Sequence, residues 1–258
     1  MRHDDVTRRG RDIDYAKPLP KAAVRKGRHR KRVGGRWDEL GALQLEFMVA
    51  QGLQPEHRLL DVGCGALRAG IRFVDYLQPS GYYGIDINET LLDAGFEHEL
   101  PHHLRSKLPR DHLRATDRFD CDFGVQFDFA IAQSVFTHIS LNQIRLCLFR
   151  LATVMPPGGR LLASYFEAPR SHPLDQPRAR GRLWTERNAF FYYRDDLRFA
   201  AQRAPWELRY IGAWGHPRHQ RMMEFRRIQP KPPPKLRGRL ERASRRTVTV
   251  LKRHLRQG

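Results

Sequence analysis

From Trp37 onward the chain alternates between short apolar runs and amphipathic stretches, and that alternation predicts its elements. Leu40, Leu43, Leu45, Phe47, Met48 and Leu53 recur at roughly helical spacing, with Gly52 and Pro55 placed to end the helix. HRLLD (57–61) is a short apolar run that breaks into Gly63, Cys64 and Gly65, the pattern of a strand entering a tight turn. A helix is predicted over 66–77, with Ile71, Val74 and Leu77 on one face. GYYGIDI (81–87) predicts a second buried strand, and residues 89–96 begin a further helix. The stretch 98–123, rich in His, Arg and Asp, has no clear period. FDFAIAQ (127–133) reads as a continuous apolar strand, followed by a helix over about 140–154 with Ile144, Leu148 and Leu151 at helical intervals. Pro156 to Gly159 form a turn into a strand over 160–166. After a Pro/Arg/aromatic loop at 167–193 come a helix over 195–203 and strands over 206–211 and 221–228. Strands alternating with helices predict an α/β fold, a doubly wound and mostly parallel sheet with helices on both faces.

The flanks differ from this middle. Residues 1–36 carry thirteen Lys/Arg against four Asp, and RKGRHRKR (25–32) lacks apolar periodicity, so a flexible, solvated N-terminal arm is predicted. Residues 226–258 carry twelve Lys/Arg against Glu241 alone. The net charge of +19 therefore resides in the two ends, since residues 37–225 hold twenty-two Lys/Arg and twenty-three Asp/Glu. A domain at 37–228 is expected between basic extensions. The C-terminal one, 229–258, begins with Pro230 and Pro232 to Pro234, a stiff linker. A thin helical stripe follows at Leu236, Leu240, Ala243, Thr247, Leu251 and Leu255 among basic residues. Such a helix suits an anionic membrane surface or a nucleic-acid backbone, and a merely solvated tail is the alternative.

Several classes are excluded. No run of about eighteen apolar residues exists, so no transmembrane helix is expected. The polar N-terminus has no apolar core of a secretory signal. Cys64, Cys121 and Cys147 are odd in number and form no CxxC pair, which gives neither a zinc ribbon nor a disulfide framework and fits a reducing cytosol. No metal site is expected.

The chemistry concentrates in LLDVGCGALRAG (59–70). A strand reaches Asp61, and Gly63 and Gly65 permit a sharp turn and close approach of a ligand to backbone. The second strand reaches Asp86 about twenty residues later, where a carboxylate can accept hydrogen bonds from a ribose diol. Together they specify a nucleoside-cofactor site at the carboxyl edge of the sheet. A dinucleotide fingerprint would want glycine where Arg68 stands. An acid two residues before the first glycine, as in Asp61-Val-Gly63-Cys-Gly65, resembles instead the first motif of class I S-adenosylmethionine (SAM)-dependent methyltransferases. The resemblance extends to Asp86, to FDFAIAQSVFTHI (127–139) and to MPPGGRLLASYF (155–166), and spans roughly 37–228. It departs at Leu67, where the family's third glycine would fall.

The resemblance implies a seven-stranded Rossmann-like methyltransferase sheet and SAM as cofactor. Gly63, Cys64 and Gly65 would sit against the methionine and ribose parts, Asp61 would orient the amino group, and Asp86, with Ile87 beside it, would hold the ribose. An acid after the third strand would meet the adenine, Asp120 or alternatively Asp117. Gln133 and Ser134 would flank the cofactor. Arg68 is a candidate for its carboxylate, with a solvated surface arginine as the alternative. Methyl transfer is an in-line displacement that needs alignment and water exclusion, and a base only if the acceptor must lose a proton. His138 is the candidate base, with a structural role as the alternative, and His216 is a weaker candidate. Cys64 reads as a small filler.

For the acceptor, Gln133-Ser134-Val135-Phe136 stands where an Asn/Asp-Pro-Pro-aromatic tetrapeptide would mark exocyclic amino methylation of bases. No Pro-Cys nucleophile or dense carboxylate cluster is present. Trp184 and Phe190 to Tyr193 would line an acceptor pocket or pack the sheet edge. A charge-balanced middle favours a small molecule or glycan over a polyanion, with transfer to oxygen preferred to nitrogen. The alternatives are an RNA methyltransferase gripping substrate with its basic ends and a SAM-binding module without catalysis.

Overall fold

The computed structural model describes residues 14–168, 178–179, 182–183 and 189–229. The predicted C-terminal helix and Trp184 lie outside them.

Before the predicted domain, α1 (Lys21–Arg25) and α2 (Arg28–Arg32) precede α3 (Trp37–Ala50), after which Gly52 turns the chain at φ 98°. The main elements then run β1 (Leu59–Val62), α4 (Gly70–Tyr76), β2 (Tyr82–Asp86), α5 (Glu89–Ala94), β3 (Leu113–Ala115), β4 (Phe129–Ala132), α6 (Leu141–Val154) and β5 (Arg160–Glu167). A two-residue ribbon, β6 (Arg178–Ala179) with β7 (Arg182–Leu183), follows, and then β8 (Phe191–Tyr192), α7 (Arg194–Ala201), β9 (Trp206–Ala213) and β10 (Arg221–Arg227). Ser140 starts α6 with a capping box: its hydroxyl accepts from the Gln143 amide while the Gln143 side chain accepts from the Ser140 amide.

The sheet order is β3-β2-β1-β4-β5-β10-β9, with β8 adding a short parallel pair to β5. All pairings among β1 to β5 are parallel, and β10 is antiparallel to both β5 and β9. Residues Leu60, Val62, Ala130, Ala132, Leu161 and Ala163 face one core, which includes Phe136, Leu148, Leu151 and Phe225. Their neighbours Leu59, Phe129, Ile131 and Leu162 face the other, with Met48, Leu53, Phe73 and Leu92. This alternation of period two explains why the central strands read as unbroken apolar runs: they are covered on both faces. The order reverses between β1 and β4, so their carboxyl ends open a crevice of the kind in which doubly wound sheets bind ligands.

Three expectations need correction. The helix predicted from Ala66 begins at Gly70, because Leu67 takes a left-handed φ of 62° and residues 66–69 form turns. A third strand, β3, lies inside the stretch without a period. The N-terminal arm, predicted to be solvated, is folded from residue 14: α1 and α2 form and His29 is buried.

Candidate active site

A cavity of about 750 Å³ lies at the crevice between β1 and β4. Its floor is the glycine turn. Gly63 (φ 73°) and Gly65 (φ 56°) hold left-handed conformations that favour glycine, and both are also sterically confined. A Cβ on Gly63 would come 2.4 Å from Cγ2 of Val135, and one on Gly65 would come 2.6 Å from Cγ1 of Val33. Leu67, where the motif's further glycine was missing, keeps a left-handed conformation with a buried side chain, at an expected cost of about 1 kcal/mol or more. The turn's own amides are spent internally. Those of Gly63 and Cys64 donate to the Ile85 carbonyl at 2.7 and 3.1 Å, and that of Gly65 donates to Asp86 at 2.9 Å.

The two acids differ in partners. Asp86 Oδ2 accepts from Gly65 N–H and Oδ1 from Asn88 N–H, each at 2.9 Å, which fixes the carboxylate. Each oxygen keeps a second lone pair for a diol. Burial raises its pKa, opposed by those backbone donors. Asp61 is buried and accepts from the Tyr82 hydroxyl at 2.9 Å. Burial chiefly pushes its pKa up to about 7, the Tyr82 hydrogen bond opposing, so a cationic group arriving beside it would stabilise its ionised form. Cys64 is buried, and burial raises its thiol well above the ordinary range, which suits an inert filler. Ile87 is exposed at the rim.

Beyond β3, Thr116, Asp117 and Phe119 border the cavity, whereas Asp120, exposed like Asp117, lies off it and pairs with Arg114 at 3.3 Å. Of the two candidate acids, Asp117 therefore borders the cavity and Asp120 does not. Gln133 and Ser134 line the cavity beyond β4, joined by a 2.6 Å bond from the Gln133 amide to the Ser134 hydroxyl. Ser134 holds φ 60° and is braced by Ser164, whose hydroxyl accepts its N–H at 2.8 Å.

Arg68 lines the cavity, but its guanidinium donates to the carbonyls of Val33 (2.7 Å) and Gly35 (3.0 Å) and to the Gln133 side chain (2.8 Å). It is a buried clamp, which excludes the solvated alternative. Burial lowers its pKa to about 10, so it stays cationic at neutral pH. Its Nε–H is buried without an acceptor among the described residues, as is that of Arg32 on the same cavity.

Of the two histidines, His216 faces Gln133 Nε2 at 3.1 Å and accepts the Arg218 N–H at 3.2 Å. Burial, reinforced by Arg218 and Arg68, lowers its pKa to about 4, which makes it a weak base at neutral pH. His138 also lines the cavity, with its Nε2 3.2 Å from the Tyr15 hydroxyl. Phe190 to Tyr193 do not border this cavity. Phe191 stacks on Phe166 and the Tyr192 hydroxyl donates to the Ile139 carbonyl at 2.6 Å, so these two pack at the sheet edge, while Phe190 is exposed.

Sequence reasoning missed the N-terminal wall. Residues 31–35 and Tyr15 border the cavity. Polar contacts hold them there: Asn88 donates to the carbonyls of Tyr15 and Lys17 at 2.9 Å, and Leu19 N–H donates to Thr90 at 2.9 Å. Glu99 pairs with His29 at 2.5 Å and Arg30 at 2.6 Å, and Arg218 donates to Gly34 at 3.0 Å. No periodic apolar signal accompanies such contacts, and the Gly34–Gly35 pair was the local hint of a turn.

Among the described residues no helix is long and apolar enough to cross a membrane, and no group of three His, Cys, Asp or Glu side chains is placed to hold a metal.

Comparison with known proteins agrees with the geometry. Residues 60–161 match a family model described as a methyltransferase domain. Among solved structures, magnesium protoporphyrin IX methyltransferase from Synechocystis PCC 6803 with bound SAM superposes with a TM-score of 0.52 at 18% identity, covering 87% of this chain and 90% of that one. DesVI of Streptomyces venezuelae gives 0.55 at 16% identity, over 81% of this chain and 99% of its own. The SAM-dependent methyltransferase SibL in its apo form gives 0.56 at 16% identity, over 82% and 60%. The acid-glycine turn under β1, the ribose-type acid closing β2 and the parallel strands that carry both fall within residues 60–161, the part of the chain that matches a methyltransferase domain, and the surrounding sheet has the fold of these SAM-dependent methyltransferases.

Proposed function

We propose that the protein transfers a methyl group from SAM to a small-molecule or glycan acceptor, at oxygen in preference to nitrogen. The observation that carries this reading is the placement of Asp61, Asp86 and the Gly63–Gly65 turn on one wall of a cavity that also holds His138. At about 750 Å³ it lies in the range of small-molecule sites, roughly 300–1,000 Å³, with room for a cofactor and a modest acceptor. A polymeric acceptor would need an open groove where residues 31–35 stand.

The residues present fit SAM. Asp86 is fixed by two backbone donors and retains acceptor capacity for ribose hydroxyls. Asp61, its pKa raised to about 7, suits an ammonium partner, and the orphaned Nε–H of Arg68 suits a carboxylate. Asp117, which borders the cavity, is the acid we assign to the adenine amino group. When bound, SAM supplies an activated methyl on a sulfonium. The chain's own tasks are to align the acceptor, exclude water and accept a hydroxyl proton, for which His138 is the group of suitable type.

Incubation of the protein with labelled SAM and fractionated cell extract tests this. Label should enter small metabolites or glycans. Label entering RNA, or no SAM binding by calorimetry, would overturn the reading.

A further inference from the structure

The basic N-terminal segment separates charge inside the cavity. Asp61 and Asp86 lie beside the glycine turn, whereas Tyr15 is flanked by Arg32 and Arg218. The Arg32 guanidinium lies 5.8 Å from the Tyr15 ring centroid; its Nη2 donates to the carbonyls of Asp14 and Lys17, while its Nε–H is buried with no acceptor among the described residues. Lys31 and Arg218 add positive charge at the rim. The Tyr15 hydroxyl stands 3.2 Å from His138 Nε2, with ring centroids 4.7 Å apart. Tyr15 has no place in the domain predicted from sequence. It is brought to the cavity by the N-terminal segment, through the Asn88 bond to its carbonyl.

The geometry points to Tyr15 as a catalytic residue paired with His138, in an acceptor subsite where Arg32 selects a small hydroxylated acceptor carrying an anionic group, a carboxylate or phosphate. This rests on the methyltransferase reading above. The acceptor hydroxyl donates to Tyr15 Oη, whose phenolic proton faces His138 Nε2. As the acceptor oxygen bonds to the methyl carbon, the carbon–sulfur bond breaks and its electron pair goes to sulfur. The acceptor proton passes to Tyr15 Oη and the phenolic proton to His138 Nε2, leaving a neutral phenol and an imidazolium. Burial holds the Tyr15 pKa above its ordinary value against the two arginines, so the phenol is protonated at the start. The carbonyls of Asp14 and Lys17 leave the charge of Arg32 without a counter-anion and its Nε–H without an acceptor, and an anionic substituent would supply both.

The test uses the full chain loaded with S-adenosylhomocysteine (SAH). Inorganic phosphate and acetate serve as separate anion probes, with the His138 ring signal followed by NMR and assigned through His138→Gln. Phosphate or acetate should shift that signal, and Arg32→Gln should weaken the response at least about tenfold while leaving SAH affinity unchanged. Tyr15→Phe removes one oxygen and should keep SAH affinity, yet alter the His138 titration and reduce labelling of extract about a hundredfold. The labelled product should be retained on anion exchange. Arg32→Gln weakening SAH itself would assign Arg32 to the cofactor and overturn the subsite. Label confined to uncharged products, or undiminished labelling by Tyr15→Phe, would overturn the proposal. Failure of the wild type to bind SAH would instead remove the underlying methyltransferase reading.

Discussion

Two walls of one cavity are built on different principles. The turn after β1 is dictated locally: Gly63 and Gly65 take left-handed conformations, and the Asp86 carboxylate holds the Gly65 amide. The opposite wall, residues 31–35 with Tyr15, has little local determination. Its helices α1 and α2 are five residues each, too short to be stable alone. Distant side chains fix it, Arg68, Asn88, Glu99 and Arg218 binding its carbonyls and its basic groups. A wall made by backbone geometry leaves a motif, whereas one made by scattered polar contacts leaves almost none. The two meet where Val33 lies against Gly65.

Gly65→Val strikes that meeting point and should have the largest effect. A Cβ at this position would already stand 2.6 Å from Val33, so SAH binding should vanish in calorimetry while the sheet's circular dichroism persists. Asp86→Ala comes next. Loss of hydrogen bonds to a charged acceptor costs about 1.5–3 kcal/mol, and SAH affinity should fall roughly ten- to a hundredfold. Unchanged affinity would show that the ribose is held elsewhere.

Glu99→Gln probes the other wall without touching the cavity. Replacing the carboxylate that holds His29 and Arg30 should cost about 1 kcal/mol and speed SAH release several-fold in stopped-flow measurements. Equal release rates would mean that the N-terminal wall does not retain the cofactor.

A pH experiment separates the local acid from these contacts. Because the folded-state pKa of Asp61 is raised to about 7, folding binds a proton there between roughly pH 4 and 7. That contribution to stability is complete below the unfolded carboxylate value and is lost as pH rises through about 7. The ligand-free protein should therefore lose melting temperature from pH 5 to 8 more steeply than Asp61→Asn. SAM should stabilise the wild type more at pH 8 than at pH 6. The smallest effect is expected from Asp120→Ala, which should leave SAH affinity within about twofold, as suits a side chain that lies off the cavity and pairs with Arg114. Asp117→Ala should weaken it measurably.

The same contrast explains what was legible in the sequence. Strands β1, β2, β4 and β5 are buried on both faces and announce themselves as apolar runs, and Asp61, Gly63, Gly65 and Asp86 sit at their ends. β3 is three residues long with only Leu113 buried, too little for any period to register. The start of α4 was misplaced because Leu67 adopts a conformation that its side chain does not advertise. Asp117 and Asp120 are three positions apart on an irregular segment, where no periodicity tells which faces inward. Arg68 was a candidate ligand by its position, but its partners lie more than thirty residues upstream and sixty-five downstream. Tyr15 carried no signal, since what places it is the side chain of Asn88.

The bond from Arg218 to the Gly34 carbonyl spans 184 positions, and this bears on biosynthesis. A chain emerges from the ribosome amino end first, and its domains fold largely in that order. Residues 14–36 are made early, yet they wait for Arg68, Asn88 and Glu99, and for Arg218 last of all. The N-terminal wall of the cavity therefore has its full set of contacts only once Arg218 has been synthesised.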